Sequence, residues 1–486
     1  MTLMDETRLV LDATRSLYAD TEHAELVQRQ AERLESPLRV AIAGKVKAGK
    51  STLLNALVGE QLAPTDEGEC TRIVTWYRDG HTYQVMMVSA DGNTVQVPFV
   101  RDGGAIQVDI GATNTDDIES LDITWPSQQL REVTLIDTPG VGSLSATTSD
   151  RTWSFIEPDD DGTPADAVLY LMKHLHAGDL EFLETFHDTE VSKPNPVNAI
   201  GVLSRADEIG VGRLDAMASA ERIASRYRVD TRVRRLVQTV VPVAGLLAES
   251  AATLTEDEYR ALAVVADHSP TEISEMLLST DRFVETADMD LTTMERQHIL
   301  DRFGVFGVRM AATLIRRDVT TNARELSDEL IDRSGLSELR ELLRTLFLQR
   351  SDLLRARSAL FALDNLYTEH PVDGAEHLSR EIERVLAGAH GFAELRLLSS
   401  MRAGQIAAKA ELLAELEQLL GSNGAAPGRR LGLVDDADAD AVRNAASEAI
   451  ERWRRRAENP LTNHDLQVAC QVVIRTCEGL VATTST

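Results

Sequence analysis

Gly44-Lys45-Val46-Lys47-Ala48-Gly49-Lys50-Ser51 fits the pattern G-x-x-x-x-G-K-[ST], and its flanks fit the same reading. Before it, Leu38-Arg39-Val40-Ala41-Ile42-Ala43 is a short apolar run suited to a buried parallel strand. After it, Ser51-Thr52-Leu53-Leu54-Asn55-Ala56-Leu57-Val58 reads as the helix that such a loop opens. The glycines let the backbone curl so that successive N–H groups point inward at phosphate oxygens. Lys50 brings a point charge to the β and γ oxygens, and the Ser51 hydroxyl is a Mg²⁺ ligand. Residues 44–51, with Thr52 behind them, are predicted to bind a nucleoside triphosphate.

Composition narrows what that nucleotide serves. At 486 residues the chain exceeds one ordinary core, so two or three domains are expected. A formal net charge of −28 opposes nucleic-acid binding, which needs a basic face to neutralise phosphates. Only six lysines stand against 44 arginines, and Lys45, Lys47 and Lys50 all lie in the phosphate loop. Cys70, Cys470 and Cys477 have no metal-ligand spacing and suggest a reducing compartment. The first residues carry acids and no signal-type apolar block, and no run of about 18 apolar residues occurs. A cytoplasmic protein, with peripheral contact at the inner face of the cell membrane, is the expectation.

Along the chain, residues 1–35 read as helix until Ser36-Pro37 breaks it. From 38 to about 243, β-type runs alternate with polar or helical stretches, the pattern of an α/β sheet, mostly parallel, with helices on both faces. Beyond about 246 the strand signal stops. Amphipathic stretches at 296–330, 337–368, 392–420 and 437–482, separated by short Gly/Pro breaks, predict an elongated antiparallel helical bundle.

Three further motifs complete a guanine-nucleotide site. Asp137-Thr138-Pro139-Gly140 follows the apolar run Val133–Ile136. Asp137 is placed to hold Mg²⁺ through water, and the Gly140 amide to sense the γ-phosphate. Cys70-Thr71-Arg72 lies between this motif and the phosphate loop, and Thr71 is the candidate switch threonine on Mg²⁺, with Thr65 as competitor. Ser204-Arg205-Ala206-Asp207 follows another apolar strand. A carboxylate at Asp207 accepts both N1–H and N2–H₂ of guanine, an edge adenine lacks. Ser204 and Arg205 depart from the usual [NT]-K, although a planar guanidinium stacks on a base as well. Val243-Ala244-Gly245 ends the last strand, where a backbone amide meets guanine O6. The expected ligands are GTP, GDP and Mg²⁺.

These motifs, followed by a long helical region and preceded by a helix, resemble the bacterial dynamin-like GTPases. The stretches GKVKAGKSTLLNAL (44–57), VLSRADEI (202–209) and DRFGVFGVR (301–309) resemble the isoniazid-inducible group of actinobacteria, in its shorter type. The resemblance spans nearly the whole chain. It implies a GTPase head at 36–347 with a helical insertion at about 247–330, since Ser334–Arg340 resembles the last helix of such domains. It also implies a neck helix at 1–35 and a trunk and returning neck at 348–486. Nucleotide-dependent contact between heads, with itself or a homologous partner, and membrane remodelling under envelope or drug stress follow from the same likeness. Eukaryotic relatives carry Gln-Ser where this chain has Val46-Lys47. Val46 cannot orient water, so Lys47, or Lys45, is expected to supply transition-state charge while Thr71 and the Gly140 amide position water. Arg429-Arg430-Leu431-Gly432-Leu433 combines two charges with aliphatics and is the candidate membrane tip, with the Phe392–Leu398 turn as its competitor. The rival expectation is a regulatory GTPase switch, or a partner subunit of a longer dynamin-like protein, without lipid activity.

Overall fold

The apolar run at 38–43 lies in the middle of a nine-stranded sheet. The computed structural model describes residues 2–64, 73–102, 105–111, 113–139, 165–175, 179–180, 183, 198–210, 212–286, 288–402 and 404–483. In chain order its strands are β1 (Leu38–Gly44), β2 (Val74–Arg78), β3 (Gln84–Ser89), β4 (Thr94–Gln96), β5 (Phe99–Asp102), β6 (Ala105–Val108), β7 (Ile118–Thr124), β8 (Val133–Asp137), β9 (Ala167–Met172), β10 (Ala199–Ser204) and β11 (Val240–Val243). The main sheet runs β11-β10-β9-β1-β8-β2-β7-β3-β4, and β5 and β6 form a separate hairpin. From β11 to β8 every pairing is parallel. The far half is mixed: β2 is antiparallel to β8 and parallel to β7, and β3 is antiparallel to β7. β9 and β10 are buried at every position, as strands covered on both faces must be. The parallel half therefore brings the C-terminal ends of β1, β8, β9, β10 and β11 to one edge, where loops of such sheets bind ligands.

The helices arrange themselves around that edge. α1 (Leu3–Leu17) and α2 (Ala24–Glu35) replace the single N-terminal helix that the sequence suggests. The break at 18–23 is held from outside: Tyr18 is buried with its hydroxyl donating to the His370 carbonyl, and the His23 ring stacks on His370 at 3.9 Å. α3 (Lys50–Val58) opens at Gly49, and α4 (Ala216–Val229) covers the sheet beside β11. α5 (Gly245–Ala252), α6 (Glu256–Ala266), α7 (Thr293–Arg316) and α8 (Ala323–Arg333) share one apolar cluster around Phe283, Phe303, Phe306 and Leu326. α7 turns sharply at Gly304, whose φ of 61° and ψ of 175° are outside helical values. α9 (Leu336–Leu342) then returns to the sheet, and Leu336 and Leu339 join the core of Val40, Ile42 and Leu54.

The remaining helices form two clusters. α10 (Ser351–Glu369) and α11 (Ala375–Gly388) pack with α1 and α2 over Val10, Leu34, Leu360 and Ile382. This cluster is pinned to the head by Arg33, whose guanidinium reaches Asp166 at 2.8 Å, with both side chains buried. Burial alone raises the Asp166 carboxyl, but the Arg33 charge and the Arg39 amide outweigh it and hold it below the usual carboxylate range. α12 (His390–Arg402), α13 (Ala410–Leu419), α14 (Ala439–Ala457) and α15 (His464–Thr483) surround Leu416, Trp453, Cys470 and Cys477. The periodic stretch 437–482, continuous in sequence, is a hairpin of α14 and α15. No helix among the described residues is long and apolar enough to cross a membrane.

Candidate nucleotide site

The phosphate loop bends where its residues have no alternative. Gly44 has φ +148°, and a Cβ there would lie 2.5 Å from the Leu171 carbonyl oxygen on β9. Gly49 sits at φ +91° and Lys47, a non-glycine, at φ +61°. A residue with a side chain enters this left-handed region only at a cost, so the loop's curl is stored locally. Ala48 is buried, whereas Val46 and Lys47 face outward. The Lys50 ammonium lies 3.4 Å from both the Gly44 and Lys45 carbonyl oxygens, folded into the loop it closes. Burial lowers its pKa, and Asp137 partly restores it.

Parallel pairing of β1 with β8 aligns Ile42 with Asp137, which delivers that carboxylate to the phosphate loop. Asp137 Oδ2 accepts the Ser51 hydroxyl at 2.7 Å, while Oδ1 is buried with no hydrogen-bond partner among the described residues. Burial raises the Asp137 pKa against the pull of Lys50 and Ser51. An unpaired buried carboxylate oxygen beside a serine hydroxyl is a donor set that suits a hard cation such as Mg²⁺. Thr138 reinforces the alignment by donating its hydroxyl to the Ile42 carbonyl at 2.9 Å. Thr71, Thr65 and Gly140 lie outside the described residues.

A cleft of about 150 Å³ continues from the loop, between Gly49 and Thr52 on one side and Asp207, Val243 and Gly245 on the other. Ser204 Oγ is buried there without a partner among the described residues. Burial raises the Asp207 pKa, with Glu208 adding to it against Arg205. Arg205, at φ +52°, directs its guanidinium to Glu208 at 2.5 Å, so its charge is engaged beside the cleft. The Ala244 amide donates to the Ser334 carbonyl at 2.9 Å, and α5 starts at the next residue. The unpaired amides at this corner are therefore those of the first turn of α5, beginning at Gly245. Behind it, Gly335 at φ +82° passes so close to Pro242 that a Cβ would sit 2.2 Å from the carbonyl oxygen.

Three residues had no motif to announce them. Asp179, buried, pairs with Lys45 at 3.1 Å and accepts the Tyr170 hydroxyl at 2.7 Å. Lys45 is thereby neutralised by an acid brought in from after β9. Asn55 is a buried polar residue within the apolar stretch Leu53–Val58 of α3, a visible signal, and Glu249 is its partner from α5.

The candidate tip is placed differently from the sequence expectation. Arg430 and Glu394, both mostly buried, form an ion pair, and Arg430 Nε also donates to the Leu419 carbonyl at 2.7 Å. Arg429 bridges Glu341 on α9 at 2.5 Å and Asp435 at 2.6 Å. Leu431 packs on the bundle core and Leu433 is half-buried. Arg429 thus ties this loop to α9 through Glu341, and Arg430 is held within the bundle by Glu394 on α12. Phe392, Leu395, Leu397 and Leu398 are likewise buried core.

A profile of the dynamin family matches residues 40–205, from inside β1 to Arg205. The isoniazid-induced protein IniC of Mycobacterium tuberculosis is 38% identical over 490 residues, covering 99% of this chain and 99% of that protein. The chain belongs to the dynamin family. Its head is a dynamin-family GTPase domain of the IniC group, with a mixed, mostly parallel sheet and a helical C-terminal region. The isoniazid-induced protein IniA of the same organism is 32% identical over 146 residues, covering 28% of this chain and 22% of that protein. A solved structure of an oligomerised bacterial dynamin pair, described as a mechanism for long-range sensing and tethering of membranes, aligns at 13% identity. That alignment covers 100% of this chain and 75% of the other, with a TM-score of 0.31.

Proposed function

We propose that this protein binds GTP with Mg²⁺ and hydrolyses it to GDP and phosphate, and that the cycle drives association of heads, with itself or a homologous dynamin-like protein. One observation carries the reading. Two buried polar atoms lack partners among the described residues: Asp137 Oδ1, beside Ser51 at the phosphate loop, and Ser204 Oγ, in the cleft that continues from that loop, where a metal-bound phosphate and a base would satisfy them. Ser51, Thr71 and, through water, Asp137 would hold Mg²⁺, which when bound offsets charge on the β and γ oxygens. Lys50 binds those oxygens and keeps doing so as charge shifts to the leaving group. The Gly140 amide and Thr71 position the attacking water. Lys47, or Lys45, adds positive charge beside the phosphates. Asp207 selects guanine, with Ser204 and Arg205 beside it and the Val243–Gly245 corner facing O6.

Maintenance or remodelling of the membrane at its inner face, under envelope stress, is the proposed use of the cycle. A second reading, a regulatory switch or partner subunit without lipid activity, draws support from the internal pairing of Arg429 and Arg430. Phosphate release from GTP and from ATP, with and without a chelator, tests the chemistry: turnover of GTP alone, lost with the metal, is expected. Comparable ATP turnover would overturn the guanine assignment. Liposome co-sedimentation with and without GTP separates the two readings of its use.

A further inference from the structure

The cleft that would take the base has two walls, and one buried hydrogen bond sets the distance between them. One wall is the start of α3, with Thr52. The other is the start of α5, where Gly245 lies so close that a Cβ on it would contact Thr52 Cγ2 at 3.8 Å. One turn further along the same helices stand Asn55 and Glu249, on the same faces as Thr52 and Gly245 by helical spacing. Asn55 Nδ2 donates to Glu249 Oε1 at 2.9 Å and to the Ala63 carbonyl at 2.9 Å. Its Oδ1 accepts the Leu62 amide at 2.9 Å and the Ala63 amide at 2.7 Å. All four hydrogen-bonding positions of this side chain are used, and both residues are buried.

Glu249 is backed from the insertion. Burial raises its pKa, while Asn55, the Arg302 charge and Gln61 stabilise the carboxylate. Arg302, on α7, is itself anchored, with Nε to Glu258 at 2.8 Å and Nη2 to the Thr253 hydroxyl at 2.7 Å. Arg302 thus holds the end of α5 through Ser250 and Thr253 and directs its charge toward Glu249, which bonds Asn55 on the phosphate-loop helix one turn behind the base cleft. A fully paired side chain in a dry interior has one low-energy arrangement, so it fixes spacing more tightly than apolar contact does.

We propose that Asn55 and Glu249 are positioning residues that set the width of the base cleft, and that the helical insertion buttresses it through Arg302. The inference rests on the guanine-nucleotide reading of the site. Neither residue touches the phosphate loop's inward amides, so their loss acts on the base side of binding alone.

The test is equilibrium binding by the full-length protein of GTP, GDP and inorganic tripolyphosphate, a probe without a base, together with steady-state turnover. Glu249→Ala should weaken GTP and GDP equally, roughly tenfold, the scale of one lost hydrogen bond to a charged group. Tripolyphosphate affinity and kcat should stay within about twofold, so the effect falls on KM. Glu249→Gln keeps the acceptor for Asn55 and should restore wild-type affinity. Glu249→Asp withdraws the carboxylate by one methylene and should not, so this pair decides the matter even if the alanine variant fails to fold. Equal loss of tripolyphosphate and GTP binding, or unchanged GTP binding in Glu249→Ala and Glu249→Asp, would overturn the proposal. Wild-type protein that binds tripolyphosphate but no guanine nucleotide would instead overturn the reading on which it rests.

Discussion

The nucleotide edge of the head and the joint around Arg429 and Arg430 are both dense in charge, yet they differ in what is left unpaired. At the edge, Lys47, Gly44 and Gly49 hold left-handed backbone, and Asp137 Oδ1 and Ser204 Oγ are buried without partners among the described residues. The acids there, Asp137 and Asp207, are pushed upward by burial. At the joint, Glu394 collects His390, Arg430 and Thr476. Burial opposes its ionisation, but these partners outweigh it and bring its pKa down to about 2. A folded chain that leaves buried polar groups unsatisfied is prepared for something that will satisfy them. A carboxylate that is paired as fully as Glu394 has already been used for the fold's own stability.

Substitutions at the two places should therefore fail in different ways. The largest effect belongs to Lys50→Ala, which removes the buried lysine that the phosphate loop folds around. GTP affinity should fall by roughly 100-fold or more, with thermal stability unchanged or raised, since a partly desolvated charge is removed. Equilibrium titration and a melting curve read both. Loss of stability without loss of affinity would break the contrast.

Glu394→Gln should show the converse, destabilising the fold by roughly 2–4 kcal/mol with GTP affinity unchanged. Its pH dependence carries a sign. The folded pKa of about 2 lies below the ordinary glutamate value of 4.5, so the stabilisation is present above about pH 4.5 and is lost as pH falls toward 2. Chemical denaturation across that window should give a shallower acid limb for the variant, and superimposable limbs would remove Glu394 from the account. The smallest effect is that of Lys47→Ala, a fall in kcat of about tenfold with little change in GTP affinity. Turnover that is strictly potassium-dependent and unaffected by this substitution would eliminate the built-in charge.

The contrast also explains what the sequence disclosed. The nucleotide edge is built from residues whose geometry is set within a few positions, so Gly44, Gly49, Lys50 and Ser51 declare their arrangement by spacing alone. Asp137 and Asp207 add only the register of neighbouring strands, which apolar runs such as 38–43 and 199–203 make readable. The joint is set by residues far apart in the chain. Arg429 meets Glu341 and Arg430 meets Glu394, and nothing in the composition of 429–433 distinguishes a loop so engaged from one facing lipid. Asp179 escaped notice for the same reason, because its partner Lys45 lies 134 residues earlier. The division of residues 1–35 into α1 and α2 likewise depends on contacts of Tyr18 and His23 with His370.

The central claim is that this cleft selects guanine through Asp207. Titration of wild-type and Asp207→Asn protein with GTP and XTP tests it directly. Xanthine presents a carbonyl where guanine presents its amino group, so the asparagine amide should pair where the carboxylate did. The account predicts a loss of GTP affinity of roughly 100-fold with a matching gain for XTP. Unchanged GTP affinity in Asp207→Asn would contradict it.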